Sequence, residues 1–295
     1  MTNTLREGEF DLDGLAFGGE DHNIVVLPRG FRPGGWTTSH QDAQSSVGDY
    51  IAMGRDTLAP ATWSFDVATN AHDATGAQDA LNEFATRWSA RAARSGRGAV
   101  SVLRYRIGGR TRWIYGRARR FTPVVTQAMW DGIAAAVIEF QPVETVTYDD
   151  EPRSIVISSR VSAVGGLIAP FVAPFTTVRR GSRDGSIADV GGTVETPPII
   201  TIHGPITRPF VEGPDWRIEL DTHIADGTSV VIDAHPAIGT VRRQDGASLS
   251  GALTLQSRLS RVRLHPGTSY VTFGGTDPTG TSTCEVRWHP AHPSF

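Results

Sequence analysis

Apolar residues along this chain recur mostly at every second position. Trp63, Phe65 and Val67 alternate with Ser64, Asp66 and Ala68, and Ile24-Val-Val-Leu27 is a short apolar run. Residues 1 to about 72 are therefore expected as short strands between turns. One segment has the helical period instead. Ala77, Leu81, Phe84, Trp88 and Ala92 would form a single stripe, which predicts a helix over about 75–94, firmest from Gln78 to Arg94. Thr75-Gly-Ala-Gln78 fits a capping box, with Asp73 as a competing cap. Ser95-Gly96 closes the helix, and Arg91 and Arg94 occupy its last turn, where cations are favoured.

Strands from Val100 to Ile107 and Thr111 to Tyr115 follow, joined around Gly108-Gly109. A three-residue loop would pair Ile107 with Thr111, Tyr105 with Trp113 and Leu103 with Tyr115. One face is then apolar and aromatic, and the other carries Arg104, Arg106 and Arg112. Ala134, Ala136, Ile138 and Phe140 make a further alternating strand. At Tyr148-Asp-Asp-Glu-Pro152 the chain turns acidic and meets a proline, so a domain boundary is expected there, with a first domain over 1–150 and a second over 151–295.

The second domain opens with a connector over about 151–198. It holds a strand at Ile155-Val-Ile157, an extended apolar arm from Ile168 to Phe175, and a polar, Gly-rich loop from Arg179 to Gly192. Beyond Ile199 the pattern is purely β. Trp216, Ile218, Leu220, Thr222 and Ile224 alternate with polar residues, and Ala225-Asp-Gly227 is expected to close a hairpin that sets Leu220 against Ile232 and Thr222 against Val230. Glu219 would then face Asp233. Further strands are expected over Ser248–Leu255, Arg258–Leu264, Tyr270–Phe273 and Ser282–Trp288, with turns at His265-Pro-Gly267 and Thr276-Asp-Pro-Thr-Gly280. Short strands at this spacing describe a sandwich or barrel. The fold class expected is mainly β: a β domain with one α-helix, then an all-β domain.

Composition narrows the function. The 295 residues are enough for two cores, and a net charge of −3 argues against a general affinity for nucleic acid or membrane. All 28 basic residues are arginine. Arginine makes planar two-pronged contacts and is favoured at protein interfaces, where lysine is depleted. The lone cysteine, Cys284, cannot form a disulfide within the chain and reads as a buried small hydrophobe. The N-terminal residues show no signal peptide, and the most apolar stretch, Gly165 to Phe175, is too short to span a bilayer, so a cytoplasmic origin is expected.

Catalytic patterns are not found. Gly-x-Ser-x-Gly, His-Glu-x-x-His, a phosphate loop and a dinucleotide fingerprint are all missing. Asp11-Leu-Asp13-Gly14 starts like a calcium loop but lacks the third ligand position and the distal glutamate. His289 and His292 have no metal-ligating partner in sequence, and the tail is expected to pack against a neighbour. Hence no catalytic, cofactor or metal residue is assigned. The strongest anomaly is the segment 104–120. Arg104, Arg106, Arg110, Arg112, Arg117, Arg119 and Arg120 interleave with Tyr105, Trp113 and Tyr115, with no acid among them. A solvated face, a nucleic-acid surface and a protein–protein surface all fit this pattern. The third makes Arg104, Arg106, Arg112, Arg117, Arg119 and Arg120 the candidate subunit-interface residues.

The stretch Arg112-Trp-Ile-Tyr-Gly-Arg-Ala-Arg-Arg-Phe-Thr-Pro123, with Ile138-Glu-Phe-Gln-Pro142 and Tyr148-Asp-Asp150, resembles the N-terminal half of minor tail proteins of long-tailed actinobacteriophages, the siphovirus distal tail family. Ile199-Ile-Thr-Ile-His-Gly-Pro205, Gly227-Thr-Ser-Val-Val-Ile-Asp233, Leu264-His-Pro-Gly267 and Val286-Arg-Trp-His-Pro-Ala-His292 resemble its C-terminal half. The resemblance implies an N-terminal β-sandwich belt domain with a helix and a C-terminal galectin-like β-sandwich. It implies a hexameric ring in the virion tail tip, assembled in the host cytoplasm, that joins the tail tube protein to tail-tip proteins and passes DNA through its lumen. It also leaves open a host glycan as a ligand of the outer domain.

Overall fold

The computed structural model describes residues 4–96, 98–159 and 184–293. The chain divides into two compact units. The first holds residues up to Asp150, and His292 and Pro293 return to it; the second runs from Glu151 to Ala291. The closing residues, expected with the second half, thus belong to the first unit.

The first unit contains strands β1 (Phe10–Leu12), β2 (Leu15–Phe17), β3 (Ile24–Arg32), β4 (Trp36–Ser39), β5 (Ala43–Gln44), β6 (Ile51–Ala52), β7 (Thr57–Pro60) and β8 (Trp63–Thr69). Helices α1 (Ala74–Trp88) and α2 (Arg91–Ser95) follow, then β9 (Ser101–Ile107), β10 (Arg110–Val124), β11 (Ala135–Pro142) and β12 (Val146–Asp149). The main sheet runs β2-β1-β9-β10-β11-β8-β3, with β12 against β10. A parallel bridge between Gly18 and Val25 links the two ends of this path. The sheet therefore wraps over itself, and strands distant along it meet across the core. Phe10 of β1 lies edge-on to Phe65 of β8, with ring centres 5.0 Å apart. Such aromatic pairs add roughly 0.5–1.5 kcal/mol each beyond the area they bury.

Helix α1 lays Ala77, Leu81, Phe84 and Trp88 on this core. Trp88 meets Phe17 at 5.8 Å, and its indole N–H donates to the Arg120 carbonyl at 3.0 Å. Of the two caps foreseen, Asp73 is the one used: its side chain accepts from the Gly76 N–H at 2.6 Å. The helix ends earlier than its stripe suggests. Ala90 adopts a left-handed conformation (φ 42°) and separates α1 from α2. The break shifts the phase, so Ala93 is buried and Ala92 exposed.

The second unit contains β13 (Arg153–Ser158), β14 (Asp184–Asp189), β15 (Ile199–His203), β16 (Ile206–Glu212), β17 (Arg217–Glu219), β18 (His223–Ile224), β19 (Ser229–Asp233), β20 (Thr240–Arg243), β21 (Thr268–Thr276) and β22 (Thr283–Trp288); the last strand, β23 (Ala291–Pro293), pairs with β12 of the first unit's sheet. One sheet runs β13-β22-β15-β19-β20. The other runs β14-β21-β16-β17, with β18 against β16. Ile200, Ile202, Val230, Ile232, Cys284 and Val286 of the first sheet share a core with Val211, Ile218, Val271 and Phe273 of the second. This is a β-sandwich, and the mainly β class read from the sequence holds for the whole described chain.

Four sequence expectations fail locally. The 225–227 turn does not close a hairpin. Instead it carries the chain between sheets, since β17 and β18 pair with β16 whereas β19 pairs with β15 and β20. Alternation satisfies both arrangements, because two strands can present apolar faces to one core from opposite sheets. Glu219 accordingly meets Arg208 and Arg217 rather than Asp233. Residues 248–264 are built from turns and two short 3₁₀ helices, Ser250–Ala252 and Leu259–Arg261, rather than strands. The polar loop foreseen from Arg179 contains β14, paired with β21. Asp11 in β1 accepts from the Gly14 N–H and Asp13, in the β1–β2 turn, from the Val102 N–H. The apolar arm foreseen at Ile168–Phe175 lies outside the described residues.

Candidate functional site

The arginine strip lies on β9 and β10, but in a register other than the one expected. Gly108 and Gly109 have φ of 62° and 74°, and β9 and β10 pair Ile107 with Arg110, Arg112 with Tyr105, Trp113 with Arg104 and Ile114 with Leu103. Two consecutive left-handed residues form the tight two-residue turn whose twist matches a hairpin, and glycine adopts it without a Cβ penalty. That turn sends Ile114 into the core and brings Arg112 to the Tyr105 side. Trp113 and Tyr115 lie with Arg104 on the other face, where Trp113 stacks on Tyr148 at 4.5 Å. Mixed faces are tolerated because the inward arginine meets a carboxylate: Arg112 Nε donates to Asp149 at 3.2 Å.

Most of the strip is engaged within the chain. Arg104, with 12% of its side chain exposed, donates from Nε and one terminal nitrogen to the two oxygens of Asp150 at 2.9 and 2.7 Å. This pair raises the guanidinium pKa further above its ordinary value. Arg106 donates to the Thr111 hydroxyl at 3.1 Å. Arg117 donates to the carbonyls of Ala99 (2.7 Å) and Gly96 (2.9 Å). Arg120 meets Glu139 at 3.0 Å. Arg119 sits at a bulge between Ala118 and Arg120 and is exposed, as is Arg110.

The sequence flagged Asp149 and Asp150 only as a boundary; the structure makes them the counter-charges of Arg112 and Arg104. His292 also reaches Asp149, at 3.2 Å, which joins this end of the tail to the first unit of its own chain. Tyr105, buried beside them, has its phenol pKa raised by burial, against the hydrogen bonds it shares with Thr147 and Arg112. Glu7 accepts from the Gly109 and Gly108 N–H groups at the hairpin tip. Those two bonds, with the nearby Arg106 charge, lower its carboxyl pKa.

A second feature has no distinct signal in the sequence. Between β3 and β8 the chain leaves the body as a hairpin arm. Among the described residues, β4 pairs with β7 alone and β5 with β6 alone. Residues 35–59 are exposed apart from half-buried Ser45. Val47 and Met53 are each 80% exposed, Tyr50 62% and Ile51 58%. Gly54 lies close against the opposite leg: its N–H donates to Asp42, and an added Cβ would lie 1.9 Å from the Gln41 carbonyl oxygen. Large apolar side chains displayed together on a projecting element mark a contact surface.

In the second unit, a cavity of about 290 Å³ lies between His223, Arg243, Gln244 and Asp245, over Val230 and Leu249. Arg243 and an Ala247 N–H lower the Asp245 carboxyl to about 2. Cys284 is fully buried, as expected, and burial raises its thiol pKa far above the ordinary value.

Neither a family model nor a curated protein matches the sequence. The fold, however, is that of phage tail hub and baseplate proteins. The crystal structure of the phage SPP1 Dit protein, described as a paradigm of hub adsorption apparatus in phages infecting Gram-positive bacteria, superposes with a TM-score of 0.60 at 12% identity, covering 96% of this chain and 98% of that one. Chains of the phage p2 baseplate in its activated conformation, with strontium and with calcium, superpose at 0.57 and 0.54, each at 11% identity and covering 95% of this chain and 97% of theirs.

Proposed function

We propose that this chain is a distal tail protein of a long-tailed phage: a structural hub in the virion tail tip, not an enzyme. Copies form a ring, in the family a hexamer, that joins the tail tube protein to tail-tip or baseplate proteins and lets DNA pass through its lumen. The observation that carries this reading is the end-to-end likeness to the SPP1 hub protein, which spans both units in order. The projecting arm supports it, since its apolar residues stay exposed among the described residues and suit a partner. Assembly takes place in the host cytoplasm.

Electron microscopy of the purified chain tests the proposal. Rings with a central hole are the expected outcome. A monomer at high concentration in light scattering, together with absence of the chain from purified virions, overturns it.

The cavity beside His223 and Arg243 favours a second, compatible reading, in which the outer unit binds a host cell-wall glycan. Polar groups over an apolar floor match a sugar's hydroxyl edge and C–H face. Binding of the full chain on a glycan array, lost in Arg243→Ala, is the expected result. No binding by the intact chain removes this reading and leaves the hub proposal standing.

A further inference from the structure

The arm is acidic as well as apolar. Residues 35–59 carry Asp42, Asp49 and Asp56 against the single Arg55. Asp42 is held by the Gly54 N–H, whereas Asp49 and Asp56 are exposed and make no side-chain bond or ion pair among the described residues.

A basic surface of matching character lies on the body of the same unit. Arg117 donates to Gly96, the residue that closes α2, so β10 runs beside the helix end that carries Arg91 and Arg94. Arg91, Arg94 and Arg119 are exposed, and none meets a carboxylate among the described residues. Arg117 spends its hydrogen bonds on carbonyls and meets no carboxylate among the described residues. By contrast, Arg104, Arg112 and Arg120 are each matched by an acid of their own chain. The folded protein therefore neutralises some members of the arginine strip and leaves others, Arg117 and Arg119 among them, without a carboxylate among the described residues.

We infer that the acidic arm of one copy docks on the open arginine surface of the next copy, around Arg91, Arg94, Arg117 and Arg119. This rests on the ring reading and gives it a contact. Among the described residues nothing covers the arm's apolar side chains, which stay exposed. Its legs span at most ~40 Å, at roughly 3.3 Å per residue over about twelve residues, far enough to reach past one subunit edge. The two surfaces carry opposite charge, which guides encounter and fixes register. They are also different patches of one chain. A contact between unlike patches is head-to-tail, and such contacts close into a ring when the rotation permits. Exposed Val47, Tyr50, Ile51 and Met53 supply the apolar part of the contact, and the arginines supply its polar rim.

Charge reversal tests the inference on the full chain. Asp49→Arg/Asp56→Arg leaves Asp42 in place to hold the arm. Arg91→Glu/Arg94→Glu/Arg119→Glu alters only exposed side chains, and circular dichroism melts monitor folding of each variant. Each set alone is expected to weaken assembly at least tenfold in sedimentation velocity, and the wild-type assembly is expected to loosen as salt is raised. Combining both sets restores opposite charges and is expected to restore assembly. Rings that tolerate each reversal, or a combined variant no better than either parent set, overturn the docking while leaving the hub proposal intact. A chain that stays monomeric throughout overturns the docking, and together with its absence from purified virions it overturns the hub proposal as well.

Discussion

Arg104 and Asp150 are joined by two parallel hydrogen bonds, at 2.9 and 2.7 Å, although 46 residues separate them. The pair ties β9 to Asp150, where the chain first leaves the first unit, and consumes an arginine that the sequence alone marks as available. Removing one partner leaves a half-buried charge without its match, and bonds to charged groups contribute about 1.5–3 kcal/mol. Arg104→Ala is expected to destabilise the first unit by about 1–3 kcal/mol. A double-mutant cycle with Asp150→Ala, followed by denaturant unfolding, should return coupling between the two sites. Additive effects would show that the pair contributes nothing measurable.

Asp277 is the corresponding acid of the second unit. It is fully buried and accepts from Ser159, from the Thr279 hydroxyl and N–H, and from the Gly280 and Ser282 N–H groups. Burial alone would raise its carboxyl pKa, but these bonds prevail and hold it well below the usual range. A carboxylate with a depressed folded value stabilises the fold fully above the unfolded value, ~3.9, and loses that contribution as pH falls through the folded value. Asp277→Asn is expected to cost about 1–3 kcal/mol at neutral pH, because its amide N–H groups would face donors. Denaturant melts across pH should show the gap from wild type narrowing below pH ~4. A gap independent of pH would refute the charge-based account.

The tip of the β9–β10 hairpin permits a purely conformational test. A Cβ added at Gly108 or Gly109 meets no atom within 4 Å, so only backbone strain opposes substitution. Gly109→Ala is expected to cost about 1–2 kcal/mol, and Gly109→Asn less, since asparagine tolerates the left-handed region. Equal losses in thermal melts would argue against a two-residue turn.

Cys284 offers a probe of packing. Buried and held as the neutral thiol, it is expected to resist a thiol-reactive disulfide reagent in the native protein and to react on unfolding. Fast native labelling would mean that the β15–β22 core opens readily.

The period-2 and period-3.6 patterns placed the buried faces of β8, β11 and α1. Trp63, Phe65, Val67, Ala136, Ile138 and Phe140 are all interior, as are four of the five residues of the helix stripe. Such patterns record which side of an element avoids water, and that is a local property of the chain. They do not record which strand lies alongside. Both 216–224 and 229–233 face one core, yet they do so from opposite sheets, and only the sandwich decides this. The β9–β10 register was likewise settled by two left-handed glycines and by Asp149, a carboxylate 37 residues from Arg112. The arginine strip was visible as a run of charge, but which members stay open depended on acids brought from elsewhere by the fold. The arm was invisible because alternation cannot separate a strand that packs from one that projects. The sequence by itself determined the mainly β character, the inward faces of strands such as β8 and β11 and of the helix, and the basic strip. Tertiary structure alone decided strand partners, neutralised arginines and the exposed arm, because each depends on distances between residues far apart in the chain.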